Sequence, residues 1–160
     1  LLPAFAHEKK GKYDLAVQDY SNALVHAESK SDLAKIYHHR ALVYRKDRNN
    51  ELALADYGEA LKIDPEYTDT YLSRALLFQK DEQYEAAIAD YSRAIELQPE
   101  HPEAFYNRGL LYRKAGTDHL AIRDYGKAIE IKPRYTRAHV NRGYAYLIPL
   151  IPLLFVLALG

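Results

Sequence analysis

Cysteine, methionine and tryptophan are all absent from this chain of 160 residues. Without cysteine it has neither disulfides nor zinc–thiolate centres, which leaves the compartment open. An excess of charge of one sign is missing too: 22 basic residues face 22 acidic ones. A neutral chain lacks the basic surface that a phosphate backbone requires, so nucleic acid is not expected as a partner. No N-terminal signal peptide is visible. Catalytic signatures are equally wanting, with no cysteine nucleophile, no nucleophile-elbow glycine pattern, no phosphate-cradling loop, and carboxylates scattered along the chain. The histidines His7, His26, His38, His39, His101, His119 and His139 form no metal motif. His38 and His39 diverge on a helix, whereas a zinc-binding helix needs ligands at i and i+4. No catalytic residue, metal or cofactor is expected.

Proline and glycine are scarce, seven of each, but the prolines are ordered. Pro65, Pro99 and Pro133 stand 34 residues apart and close Ile63-Asp64-Pro65, Leu97-Gln98-Pro99 and Ile131-Lys132-Pro133. A fixed period of this size means one supersecondary unit stacked on itself, since a lone repeat cannot bury its apolar face. With the proline at position 32, the complete repeats are 34–67, 68–101 and 102–135. Position 8 is small (Ala41, Ala75, Gly109, Gly143), while positions 20 (Ala16, Ala53, Ala87, Ala121) and 27 (Ala23, Ala60, Ala94, Ala128) are alanine. Positions 11 (Tyr44, Phe78, Tyr112, Tyr146) and 24 (Tyr20, Tyr57, Tyr91, Tyr125) are aromatic. Small residues let helix axes approach and large rings fill the gaps between them. Apolar residues at spacings of three and four, as in Ala121, Ile122, Tyr125, Ala128 and Ile129, give amphipathic helices, and strand signals are absent. In the third repeat the pattern predicts a helix A over 102–114, a turn at Ala115-Gly116, and a helix B over 118–131 ended by Pro133.

These columns resemble the tetratricopeptide repeat family over residues 34–135. The resemblance implies an all-α fold, a right-handed superhelical solenoid of antiparallel helix pairs. It also implies a non-catalytic scaffold that binds a partner protein in a concave groove lined by helix A. Two departures stand out. Position 4, usually tryptophan or another aromatic, is Tyr37, Tyr71 and Phe105 but then His139; position 7, usually leucine, is Arg40, Arg74, Arg108 and Arg142. A charge in a packing position needs a partner, and aspartate recurs at position 23 as Asp19, Asp56, Asp90 and Asp124. The expected pairs join helix B of one repeat to helix A of the next: Asp19–Arg40, Asp56–Arg74, Asp90–Arg108 and Asp124–Arg142. Pairing within a repeat is the alternative.

The ends are irregular. Residues 1–30 read as a divergent partial repeat, with Leu1 to Lys10 as the remnant of a helix A, and Ser29 to Asp32 offers caps for the next helix. Residues 136–147 fit helix A of an incomplete further repeat, followed by an apolar tail over 148–160. From Tyr144 to Gly160 no charge appears, 17 residues against the roughly 20 of a membrane helix, and Pro149 and Pro152 would bend it. A membrane anchor, a cap on the last repeat or on a partner, and a sequence artefact all remain open readings. Beginning and ending inside a repeat, with no methionine, the chain reads as a segment of something longer. A cytoplasmic location is expected, with membrane contact through 147–160 as the other reading.

The resemblance places ligand contacts at positions 2, 5, 6, 9, 12 and 13 of helix A. Those positions are Lys35, His38, His39, Leu42, Arg45 and Lys46, then Asp69, Leu72, Ser73, Leu76, Gln79 and Lys80. The third repeat supplies Glu103, Tyr106, Asn107, Leu110, Arg113 and Lys114, and the last adds Arg137, Val140, Asn141 and Tyr144. Seven are basic and two acidic, which favours an extended or helical partner carrying carboxylates. The candidate partner-binding residues are Lys35, His39, Leu42, Arg45, Lys46, Ser73, Leu76, Lys80, Tyr106, Asn107, Leu110, Arg113, Lys114, Arg137 and Asn141. Leu42, Leu76 and Leu110 would supply an apolar stripe, and Asn107 and Asn141 amides for the partner's main chain. The competing reading of the cations is that they complement helix C-terminal dipoles. The family's carboxylate clamp for chaperone tails is not expected, because Leu72 and Leu76 stand where it needs lysine and asparagine. The alternative function is a structural subunit of a large cytoskeletal or membrane-associated assembly, in which Tyr67, Tyr106 and Tyr135, taken as exposed, would be covered by neighbouring chains.

Overall fold

A computed structural model describes residues 2–147, and among them every regular element is an α-helix. The chain divides into two compact units between Glu82 and Gln83. The first contains α1 (Leu2–Lys9), α2 (Tyr13–Val25), α3 (Lys30–Lys46), α4 (Asn50–Ile63) and α5 (Thr68–Lys80). The second contains α6 (Tyr84–Leu97), α7 (Pro102–Lys114), α8 (Asp118–Ile131) and α9 (Thr136–Leu147). Within each unit consecutive helices pack on one another as antiparallel neighbours joined by short turns. The helices over 102–114 and 118–131 lie where the periodicity places them.

Each turn from helix A to helix B is made the same way. Position 15 of the repeat is left-handed in all four: Gly11 (φ 69°), Arg48 (64°), Glu82 (58°) and Gly116 (72°). Glycine adopts this conformation freely, whereas Arg48 and Glu82 hold it against a steric cost of roughly 1–2 kcal/mol. Caps define the starts. The Ser29 hydroxyl accepts from the Asp32 amide at 3.0 Å, and Nδ1 of His101 accepts from the Ala104 amide at 3.3 Å, with Pro102 in the first turn of α7.

The repeat columns are the core. Tyr20, Tyr57, Tyr91 and Tyr125 are fully buried, as are the position-20 alanines and Ala60, Ala94 and Ala128. In the first unit Tyr20 packs with Ala4, Ala16, Ile36 and Val43, and Tyr57 with Ala41, Ala53 and Leu77. In the second, Tyr125 packs with Phe105, Ala121, Ala128, Ala138 and Ala145. Gly109 marks the closest approach: a Cβ there would stand 2.8 Å from Cε1 of the buried Tyr125 ring. Gly109→Ala should therefore lower stability by about 1–2 kcal/mol, the overpacking term exceeding the gain in helix propensity. Gly58→Ala meets nothing within 4 Å and should raise stability by up to about 1 kcal/mol. Thermal melts of the two variants should shift in opposite directions.

Two of the position-7 arginines, Arg40 and Arg108, pair within a repeat, not between repeats. Arg40 donates from Nε to Asp56 Oδ2 at 2.7 Å and from Nη2 to Oδ1 at 2.8 Å. Arg108 makes the same fork with Asp124, at 2.7 and 2.9 Å. The expected Asp19–Arg40 pair is replaced by a contact between Asp19 and His7 at 2.8 Å. The reason lies in hairpin geometry, because positions 7 and 23 are equidistant from the turn at position 15 and therefore face each other across the antiparallel pair. A further N–H of each guanidinium, on Nη1, reaches the preceding helix B, where Arg40 meets Ser21 and Arg108 meets Ser92, both at 2.9 Å. The rings at positions 4 and 11 flank the guanidinium: Tyr37 and Tyr44 for Arg40, Tyr71 and Phe78 for Arg74, Phe105 and Tyr112 for Arg108, all within 6 Å. A planar cation thus fills the space of the usual leucine.

Candidate functional site

Helices α1, α3 and α5 in the first unit, and α7 and α9 in the second, carry the positions the repeat register assigns to ligand contact. Lys35 and Lys80 are exposed, Leu76 is 44% exposed, and His39, Leu42, Arg45 and Ser73 are half-buried. In the second unit Asn107, Leu110, Arg113 and Asn141 are half-buried, while Lys114 and Arg137 are exposed. Tyr106 is only 9% exposed, contrary to its expected place on an open face. Its ring packs against that of Tyr135 with centroids 5.0 Å apart. Tyr67 is likewise packed, 4.9 Å from the His38 ring. Positions 5 and 34 therefore cover each other in part, leaving Tyr67 and Tyr135 half-buried.

Several candidate groups are already engaged by the chain itself. Asn141 was expected to offer its amide to a partner's main chain, yet its oxygen accepts from Arg113 Nη1 at 2.9 Å. Its nitrogen donates to the Arg137 carbonyl at 2.9 Å and to the Tyr106 hydroxyl at 3.2 Å. Asn107 bonds the buried Tyr91 phenol, which burial pushes well up and this bond pulls partly back. Lys46 forms an ion pair with Glu8, and Lys114 lies 4.8 Å above the Tyr84 ring while donating to its hydroxyl. Glu103, one of the two acids on this face, pairs with Lys132 at 3.0 Å.

Sequence reasoning missed Glu8 and Phe5. Extending the register upstream from Tyr20 places Glu8 at position 12 and Phe5 at position 9 of the partial first repeat. That extension reveals a recurring trio at the joints between repeats: position 12, the tyrosine of position 24, and position 6 of the next repeat. Within the two units it reads Glu8–Tyr20–His39, Arg45–Tyr57–Ser73 and Arg113–Tyr125–Asn141, with the tyrosine constant and the flanks variable. His39 stacks on Tyr20 at 6.1 Å and meets Phe5 edge-on at 5.0 Å. Its pKa is pushed down by burial, against the pull of Glu8 and Asp69. Beside it His38 is 4% exposed and shares a hydrogen bond with the Thr70 hydroxyl at 2.9 Å. Burial, with His39 and Arg45 nearby, lowers the His38 pKa to about 4.

Among the described residues no group of histidines and carboxylates gathers into a metal site, and no helix is long and apolar enough to cross a membrane. The expected membrane contact through 147–160 falls, apart from Leu147, outside the described residues. A surface hollow of about 330 Å³ lies at the α1–α2 turn, lined by Gly11, Lys12, Tyr13, Asp14, Leu15 and Asp47, away from the trios.

Comparison with known proteins agrees with this architecture. Models described as tetratricopeptide repeat match residues 34–67 and 102–135, and one described as TPR repeat matches 80–116. No curated protein matches the chain in sequence. Among solved structures, a crystal structure of MamA is 25% identical with a TM-score of 0.80, over 89% of this chain and 82% of that one. YrrB, a TPR protein with an unusual peptide-binding site, is 21% identical with a TM-score of 0.74, over 88% of this chain and 71% of that one. The first TPR of Spaghetti (RPAP3), bound to HSP90 peptide SRMEEVD, is 19% identical with a TM-score of 0.70, over 74% of this chain and 94% of that one. Period, packing columns, helix pairs and these matches lead to one conclusion: the chain belongs to the tetratricopeptide repeat family.

Proposed function

We propose that the chain is a non-catalytic protein–protein interaction scaffold whose A-helix faces hold an extended or helical partner segment bearing carboxylates. One observation carries the reading. On these faces the side chains of Lys35, Arg45, Lys80 and Arg137 have no hydrogen bond or ion pair among the described residues, and Leu76 and Val140 beside them are 44% and 49% exposed. The part-buried arginines Arg40 and Arg108, by contrast, are forked onto carboxylates. Unpaired cations around exposed apolar side chains suit a segment in which acidic and apolar residues are interleaved. The Spaghetti (RPAP3) structure holds a peptide whose sequence, SRMEEVD, is of that character, and YrrB is described by its peptide-binding site. Both support the mode of action and leave this chain's partner to be found.

The test uses a fluorescein-labelled peptide of alternating glutamate and leucine, titrated by anisotropy. Leu76→Ser should weaken binding about fivefold, as expected for about 1 kcal/mol of lost apolar burial. Leu52→Ser, at an equally exposed leucine on the helix-B face (44%), should leave affinity unchanged. Equal effects at both sites would remove the A-helix face as the binding surface.

A further inference from the structure

The three trios differ in one respect. Each holds a fully buried tyrosine whose hydroxyl has no hydrogen-bond partner: Tyr20, Tyr57 and Tyr125. In the trio of Tyr20, the position-12 residue Glu8 is neutralised by Lys46. In the trio of Tyr125, the position-12 residue Arg113 is held by Asn141 at 2.9 Å. In the trio of Tyr57, the position-12 residue is Arg45, half-buried, and its guanidinium has no acceptor among the described residues. Ser73, which stands where Asn141 stands in the other unit, is too short to supply one. A partly desolvated guanidinium beside an unsatisfied buried hydroxyl leaves hydrogen-bonding capacity unspent, and buried polar groups ordinarily find partners.

We propose that Arg45, Tyr57 and Ser73 form a carboxylate subsite on the first unit, which receives one aspartate or glutamate side chain of the bound segment. The proposal rests on the A-helix reading above and names where its acidic contact is made. In the other unit the same two register positions, Arg113 and Asn141, lie within 2.9 Å of each other. Tyr57 projects from α4 between α3 and α5, with the His38 ring 5.9 Å from its own. Burial raises its pKa, opposed by the Arg45 guanidinium and by the Ser73 hydroxyl. All three groups can donate, and a carboxylate accepts from several donors at once. A single charge suits the place better than a phosphate dianion, because there is one cation, while Asp69 and Glu8 also act on the neighbouring His39.

The experiment uses the full chain and two labelled peptides, alternating glutamate–leucine and its glutamine–leucine counterpart. Wild type should prefer the glutamate peptide. Arg45→Gln should weaken that peptide about tenfold, the size of one charge-assisted hydrogen bond, and abolish the preference. Tyr57→Phe should weaken it severalfold with a thermal midpoint unchanged or raised, because the substitution deletes an unsatisfied hydroxyl and keeps the ring. Lys62→Gln, on the outer face of α4, should do nothing. If wild type shows no preference for glutamate, or Arg45→Gln and Tyr57→Phe bind like wild type while Leu76→Ser is weakened, the subsite is wrong and the A-helix reading survives. If Leu76→Ser and Arg45→Gln both bind like wild type, or neither peptide binds, both readings fail.

Discussion

Asp124→Ala should lower the unfolding free energy by about 3–5 kcal/mol, a large share of the 5–15 kcal/mol typical of a folded domain. The Asp124 side chain is 1% exposed and its partner Arg108 12%. The carboxylate accepts from two of the guanidinium's N–H groups, and Ser92 accepts from another. Removing the acid leaves a cation between the Phe105 and Tyr112 rings without its counter-ion and largely shielded from water. The double variant Arg108→Met/Asp124→Leu should recover most of the loss, because replacing a buried pair with apolar residues avoids the stranded charge. Asp19→Ala is the control: its contact with His7 is about one-third exposed, so about 0–1 kcal/mol is expected. Urea unfolding followed by circular dichroism measures all three. Similar losses at Asp19 and Asp124 would mean that the ion pairs bridge repeats after all.

Acidification should destabilise the first unit through His38. In the unfolded chain this group titrates near 6.5, and in the folded state its pKa is lowered to about 4 by burial, with His39 and Arg45 adding to the shift. Between those values the unfolded chain takes up a proton that the folded chain refuses. Stability is therefore complete above about pH 6.5 and falls as the pH drops towards 4, by about 2–3 kcal/mol between pH 7.5 and 4.5. The groups facing the imidazole are His39 and Arg45 on α3, the Tyr57 ring on α4, the Thr70 hydroxyl on α5 and Tyr67 just before it. None of them is a carboxylate that could hold the protonated form. Urea midpoints for wild type and His38→Gln should converge as the pH falls, since the variant lacks this titration. Parallel pH profiles would show that His38 takes up its proton as readily in the folded state as in the unfolded chain.

The scaffold was legible because packing repeats. A column of tyrosines or alanines at a constant interval can mean only that the same gap is filled in each copy, and Tyr57 and Ala53 are buried where their columns place them. The turns were half-legible: Gly11 and Gly116 announce the left-handed position, whereas Arg48 and Glu82 occupy it in defiance of propensity. The ion pairs were legible as partners and not as geometry. Sequence recurrence ties Asp56 equally to Arg40 and Arg74, and only the antiparallel hairpin, symmetric about position 15, brings Asp56 to Arg40. The candidate site was least legible, because what a side chain offers a partner depends on what its own chain has already claimed. Arg45 and Arg113 share a register position, and Asn141 satisfies one of them. Tyr106 shares its position with His38, and both turn inward onto a tyrosine of position 34.

The most direct test of the central claim is methyl NMR of the leucines as the glutamate–leucine peptide is added. Leu76 and Leu42 lie on the A-helix face of the first unit, whereas Leu15 and Leu52, 40% and 44% exposed, lie on helices B. The account expects Leu76 and Leu42 to shift in a saturable way while Leu15 and Leu52 stay still. Shifts at Leu15 and Leu52 with Leu76 silent would contradict it.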